Sequence, residues 1–313
     1  MNEEFLIENY LKKAEKAFKE NKLLKALDLY TKVNDLTKGQ DVDTLISMAL
    51  IYDFMGKSKE AKELYRKSLE LDENDERAYY GLAVIYDEEG CYSNAIQLYK
   101  RAIHINPNYH KAYFFLANAY DMCGDKDSAV YYYEKLLELN PSDFWANVNL
   151  GSIYEEQGKN DSAYKRFSKA LEIDPKNHLA LFNMGVICYK YNMKNKAAGF
   201  YERSIKSKSD YPYSYLNLAV LYKYSDTMKG IGVLTEGINN CEEVHFLYYN
   251  RGCFYALLED KEKAFHDIKT ALKIYPEFLK YILEDDELKD IIKMREFTEF
   301  TGSKIFKKKN KLV

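Results

Sequence analysis

The amino-acid sequence predicts an all-α solenoid of antiparallel helix pairs, and three observations carry that reading. Landmark residues recur at a fixed step of 34: Gly90, Gly124 and Gly158, then Pro107, Pro141 and Pro175, then Ala61, Ala95, Ala129, Ala163 and Ala197. Within each interval apolar residues recur at steps of three and four, as a helix face requires. Tyr79, Leu82, Ala83 and Tyr86 form one such face, and Ala95, Tyr99 and Ala102 the next. Turn residues are scarce, with 14 Gly and 5 Pro in 313 residues, about half the usual share, which disfavours turn-dense β folds. A period of roughly 20–50 residues marks stacked supersecondary units.

Six units begin at Val42, Glu76, His110, Phe144, His178 and Pro212. A looser unit starts at Ile7 and a last one at His245, so that eight tandem units occupy residues 1–278. In each, a first helix ends at a turn marked by residues such as Gly90, and a second ends near a proline such as Pro107, because neither residue continues a helix well. The eighth place (Ala14, Ala49, Ala83, Ala117, Gly151, Gly185, Ala219, Gly252) and the twentieth (alanine throughout except Gly230) are small. That lets paired helices approach closely. A large ring at the twenty-fourth place (Tyr30, Tyr65, Tyr99, Tyr133, Phe167, Tyr201) then fills the space between units. The eleventh place is tyrosine at 52, 86, 120, 154 and 222, interrupted by Cys188. No unit buries its apolar face alone, so stability comes from stacking.

The later elements depart from this pattern. The seventh unit lacks one residue and carries Gly230 and Gly232 in its second helix, where each glycine costs about 1 kcal/mol relative to alanine. A helix over roughly 228–239 is expected to be the weakest, and either a close neighbour or a hinge explains the glycines. Residues 279–300, with Leu279, Ile282, Leu283, Leu288, Ile291 and Phe297 on one stripe, are expected to form a capping helix over the last unit. Residues 301–313 hold Lys304, Lys307, Lys308, Lys309 and Lys311 and read as a solvated basic tail.

Composition excludes several classes. Aromatic content of 15%, including 30 tyrosines, is too high for a disordered chain. No apolar run reaches membrane-spanning length, and the acidic Met1–Phe5 segment predicts no signal peptide, so a cytoplasmic location is expected. Five cysteines at 91, 123, 188, 241 and 253, with no CxxC pair, read as reduced core thiols. A net charge of −3 with scattered bases argues against nucleic acid as a partner. The five histidines are spread along the repeats, and no HExxH, GxSxG or phosphate-cradling loop occurs. No catalytic residue, metal site or cofactor is therefore expected.

Segments such as Tyr79-Tyr80-Gly81-Leu82-Ala83-Val84-Ile85-Tyr86, Tyr248–Gly252 and Ala163–Pro175 resemble the tetratricopeptide repeat (TPR). The resemblance implies a right-handed superhelical solenoid whose first helices line a concave groove. It also implies a non-catalytic scaffold that binds a protein or an extended peptide segment. The alternative is a self-assembling oligomerisation module that pairs with another copy of itself. In the family the groove wall comes from the second, fifth, sixth, ninth, twelfth and thirteenth places of each first helix.

Those places change character along the chain. The last two supply the acids Asp53, Asp87, Glu88, Asp121, Glu155 and Glu156 in units two to five, and then Lys190 and Lys223. This acidic ridge is expected to attract a basic segment. The sixth place holds Asn149, Asn183, Asn217 and Asn250, beside Trp145, Phe182, Tyr213, Phe246 and Tyr249, and the ninth adds Asn118. An asparagine amide matches both the C=O and the N–H of a peptide bond, so this column is expected to hold an extended backbone, with the aromatic residues as anchors. It resembles the asparagine ladder in the repeat domain of the O-linked N-acetylglucosamine transferase. The basic clamp of the family's chaperone-tail receptors is not matched: Arg77 and Lys111 stand at second places, but Gly81 and Phe115 stand where arginine is needed.

Overall fold

The structure, a computed structural model, describes residues 3–242 and 244–302. The basic tail at Lys304–Lys311 lies outside the described residues. Helices follow one another in antiparallel pairs: α1 (Glu3–Lys19) with α2 (Leu23–Leu36), α3 (Val42–Phe54) with α4 (Ser58–Leu71), and α5 (Glu76–Glu88) with α6 (Tyr92–Ile105). Next come α7 (His110–Met122) with α8 (Lys126–Leu139), then α9 (Phe144–Glu156), α10 (Asn160–Ile173), and α11 (His178–Lys190) with α12 (Lys194–Ser207). The series continues through α13 (Pro212–Tyr222) with α14 (Thr227–Asn240) and α15 (His245–Leu257) with α16 (Lys261–Ile274). Contacts divide the chain into two compact units, residues 1–153 and 154–313.

Local chemistry sets the boundaries. Asp75 and Asn177 accept backbone N–H groups at the starts of α5 and α11, satisfying donors that a helix leaves orphaned. The turn between paired helices needs a residue in the left-handed region. Gly56, Gly90, Gly124 and Gly158 supply it at φ of 70° to 80°, where glycine carries no steric penalty. Asn21, Asn192 and Glu259 take the same place at φ of 55° to 62°. The seventh pair has one residue fewer there, and α13 is correspondingly short at 11 residues.

The small eighth and twentieth places are buried in all eight pairs, and the rings of Tyr65, Tyr99, Tyr133, Phe167 and Tyr201 are almost fully enclosed. Two of the three glycines of α14, Gly230 and Gly237, have a packing reason. A Cβ on Gly230 would stand 2.4 Å from the Phe254 ring, and one on Gly237 would stand 2.8 Å from Tyr215. Gly232 faces open space, so Gly232→Ala is expected to raise stability by about 0.5–1 kcal/mol, measurable by urea denaturation.

Two expectations need correction. Cys188 and Cys253 are buried, but Cys91 and Cys123 are exposed. Both follow the end of a first helix, where the chain turns at the surface. Residues 279–300 form no single capping helix but a 3-10 turn at Pro276–Phe278 followed by α17 (Leu279–Glu284), a second turn at Asp286–Leu288, α18 (Lys289–Ile292) and α19 (Arg295–Gly302). Asp285 is the cause of the break. Its backbone is extended, and its side chain accepts both the Tyr249 hydroxyl and the Glu287 amide. Ile282, Leu288, Ile291 and Phe297 still bury themselves against Ala264, Ile268 and Leu272, while Leu283 is exposed.

Candidate groove site

Within residues 1–153, the first-helix places of α3 and α5 border a cavity of about 630 Å³. Its floor is apolar, made by Ile46, Leu50, Val84 and the ring of Tyr65 beneath Gly81. A Cβ on Gly81 would lie 2.2 Å from Tyr65 Cζ, so only glycine leaves both the ring and the cavity in place. The two rims carry opposite charge. Arg77 and Lys111 line one side, Asp53 and Glu88 the other. Arg77 is already satisfied, 2.6 Å from both Asp43 and Asp75.

The acids are not equivalent. Burial and the neighbouring Glu88 raise the pKa of Asp53 above the ordinary carboxylate value. Burial also raises Asp87, partly offset by the Tyr99 hydroxyl donated at 3.2 Å. Asp121 is paired with Lys126 at 2.6 Å, and Glu155 with Lys190. Glu156 lies exposed at the end of α9. Among the described residues, Asp53, Asp87 and Glu88 form no ion pair.

The sixth place proves to be the partner of the large ring in the preceding pair. Asn149 donates to the Tyr133 hydroxyl at 3.0 Å and to Asn118 Oδ1 at 3.2 Å, while Tyr133 donates to the same Asn118 oxygen. Asn217 reaches the Tyr201 hydroxyl at 3.5 Å. Where the preceding pair offers Leu234 instead, Asn250 turns back to the Phe246 carbonyl at 2.7 Å. Phe115 stacks on Tyr99 at 6.2 Å, and Gly81 yields to Tyr65 as above. Asn183 follows Phe167 in the same arrangement of places. Asn149 thus commits both amide N–H groups within the fold, while Asn217 and Asn250 each commit one and leave one beyond the bonds just described.

The aromatic places divide similarly. Trp145 and Tyr213 are about half exposed, and Tyr213 stacks on Phe246 at 5.4 Å. Phe182 packs on Tyr201 and Tyr211. Tyr249 is engaged by the chain itself, through Asp285 and an edge contact with Phe278. Lys223 is likewise held, 2.6 Å from both carboxylate oxygens of Glu287. Cys253, Asp285 and Glu287 bring three ligand-type atoms within 4.8 Å of one another, and the Lys223 ammonium pairs with the Glu287 member of that group. The end of α13 and the start of α15 are therefore occupied by the acidic turn before α18.

Sequence reasoning did not single out Arg251 as a structural residue. Its guanidinium grips Asp267 bidentately at 2.7 and 2.9 Å and donates to Thr235 at 2.9 Å, with Asp267 almost wholly buried.

Tetratricopeptide repeat models match residues 42–75, 76–109, 110–143, 132–165 and 247–278, and a TPR repeat model matches 151–191. The chain belongs to the tetratricopeptide repeat family, whose fold serves typically as a scaffold for protein–protein interaction. Among solved structures it is similar to YrrB, a TPR protein with an unusual peptide-binding site, at 24% identity and TM-score 0.52, covering 59% of this chain and 95% of that one. It is also similar to a TPR protein from Parabacteroides merdae at 20% identity and TM-score 0.60, covering 85% and 100%. A third likeness is to the APC/C hetero-tetramer Cut9-Hcn1, at 14% identity and TM-score 0.56, covering 91% and 55%. These likenesses show the fold. No curated protein matches the chain. No helix among the described residues is long and apolar enough to cross a membrane.

Proposed function

We propose that the first-helix wall of residues 42–122 binds an extended, basic segment of a partner protein. The observation that carries this reading is the half-buried Asp53 beside Glu88 on the rim of the apolar cavity. Burial and the neighbouring Glu88 raise its pKa, and a Lys or Arg side chain from a ligand would supply an opposing charge over a floor that takes its methylene stem.

The test is a peptide-array scan followed by titration of the strongest basic peptide. Replacing Asp53 with Asn and Glu88 with Gln is expected to weaken binding roughly tenfold or more, since a hydrogen bond to a charged group is worth about 1.5–3 kcal/mol. Affinity should fall with added salt and as pH drops through the raised pKa of Asp53. The stability effect has the opposite sign. A carboxyl whose folded pKa is raised contributes stability below its ordinary pKa and loses it as pH rises through the folded value. Asp53→Asn should therefore melt no lower than wild type at pH 7 while binding less. Unchanged affinity and salt dependence in the double variant would overturn the reading.

An extended segment is also proposed to lie along Asn183 and Asn217 within residues 154–313, with Tyr213 as an anchor. Asn183→Ala with Asn217→Ala is expected to cost roughly 5- to 150-fold, at about 0.5–1.5 kcal/mol per bond. Tyr201→Phe removes only the internal partner of Asn217 and should leave ligand affinity intact. Full-strength binding by a folded double variant would assign these asparagines to packing.

A further inference from the structure

A second cavity, of about 880 Å³, opens between α10 and α12 and shares no residue with the groove-wall places. Its origin lies in one interrupted column. At the eleventh place the neighbouring repeats hold a tyrosine whose ring fills the gap between successive second helices. Tyr86 sits beneath Lys62 at 4.9 Å and accepts from Arg66 at 3.0 Å. Tyr120 stacks on Tyr132 with 5.5 Å between centroids and an interplanar angle of 5°. Tyr222 lies under Lys229 at 4.0 Å.

In the α11–α12 repeat that ring is missing, because the place is Cys188. Its surroundings remain. Phe200 occupies the position equivalent to Tyr132, and Lys196 the position equivalent to Lys229. Both line the cavity, with Tyr164 opposite. Gly199 widens it further, since a Cβ there would meet nothing within 4 Å. Three cations border the space. Lys165 and Lys196 form no ion pair among the described residues. Arg203 spends one donor on the Pro175 carbonyl at 3.2 Å and lies over Phe200 at 5.4 Å. The acid at this rim, Asp161, accepts the Tyr191 hydroxyl.

We propose that this cavity binds an aromatic side chain from an acidic peptide segment of a partner protein. The ring enters the place that Tyr86, Tyr120 and Tyr222 fill in their own repeats, stacking on Phe200 beneath Lys196. Flanking carboxylates face Lys165, Lys196 and Arg203. Aromatic stacking and a cation over the ring face supply the anchor, and the excess positive charge selects acidic flanks.

The test uses fluorescently labelled Asp-Glu-Tyr-Glu-Asp and its Asp-Glu-Ala-Glu-Asp control, titrated by anisotropy against the full chain. The tyrosine peptide is expected to bind at least tenfold more tightly than the control. Cys188→Tyr restores the ring in cis and should abolish that preference while keeping or raising the melting temperature. Cys188→Ser keeps the vacancy and should retain binding. Gly199→Leu fills the same space from a position with room for it, and tests the cavity if the tyrosine variant does not fold. Lys165→Glu with Lys196→Glu should weaken binding and flatten its salt dependence. Equal affinity for the two peptides, or an undiminished preference in the filled variants, would overturn the proposal. So would a concentration-dependent increase in sedimenting mass that Cys188→Tyr abolishes, which would give the cavity to a second copy of the chain. Asp53→Asn should leave this binding unchanged, which separates it from the groove.

Discussion

Arg251→Ala is expected to destabilise the C-terminal unit by about 3–5 kcal/mol, the cost of leaving a buried charge without its partner. The stranded group is Asp267, whose side chain is 2% exposed and whose two oxygens both accept from Arg251. Thr235 on α14 loses its donor at the same time, so the damage crosses from one helix pair to the next. Urea denaturation followed by far-ultraviolet circular dichroism measures the effect. Replacing both members with leucine should recover much of the loss, because well-packed apolar substitutes for a buried ion pair are often neutral or better. A single Arg251→Ala variant with an unshifted midpoint would show that water reaches Asp267 freely.

Gly81→Val should damage stability and binding together. The first Cβ alone would stand 2.2 Å from Tyr65 Cζ and 2.6 Å from its hydroxyl oxygen. Tyr65 is 2% exposed, so its ring has nowhere to retreat except into the cavity above Ile46 and Leu50. Overpacking of this kind costs about 1–3 kcal/mol, and the displaced ring would fill space that the proposed ligand needs. Pairing Gly81→Val with Tyr65→Leu should return stability without returning binding. A variant that melts normally alone and keeps its ligand would remove Gly81 from the site.

The fold was legible because one period repeats in many columns at once. Helix starts at Val42, Glu76, His110 and Phe144 follow from spacing and need no long-range information. What spacing could not show is where charges find partners. The pairing of Lys223 with Glu287 spans 64 residues and joins a repeat to a segment outside the period. The acids of the ridge share two adjacent places in the repeat, yet Asp121 and Glu155 meet lysines while Asp53 forms no ion pair among the described residues. The asparagine column was visible as a column, and the sequence also carries the signal for its internal partners. Asn149 and Asn217 each follow a tyrosine 16 residues earlier, and Asn250 follows Leu234. Likewise the cavity beside Cys188 was written in the interrupted tyrosine series, but only the structure shows that nothing else moves in to fill it.

The matching of each sixth place to the ring before it bears on how such a chain can change by duplication. If residues 76–109 were excised, the spacing of the remaining helices would be kept, but Phe115 would arrive over Tyr65. That ring requires the absence of even a methyl group, whereas Phe115 now rests against Tyr99. Excising 178–211 would instead set Asn217 where Asn183 now follows Phe167, so that junction keeps its residue types. Repeats that look interchangeable by length are therefore not equally so, and losing the one that carries Gly81 requires a second change at the new junction.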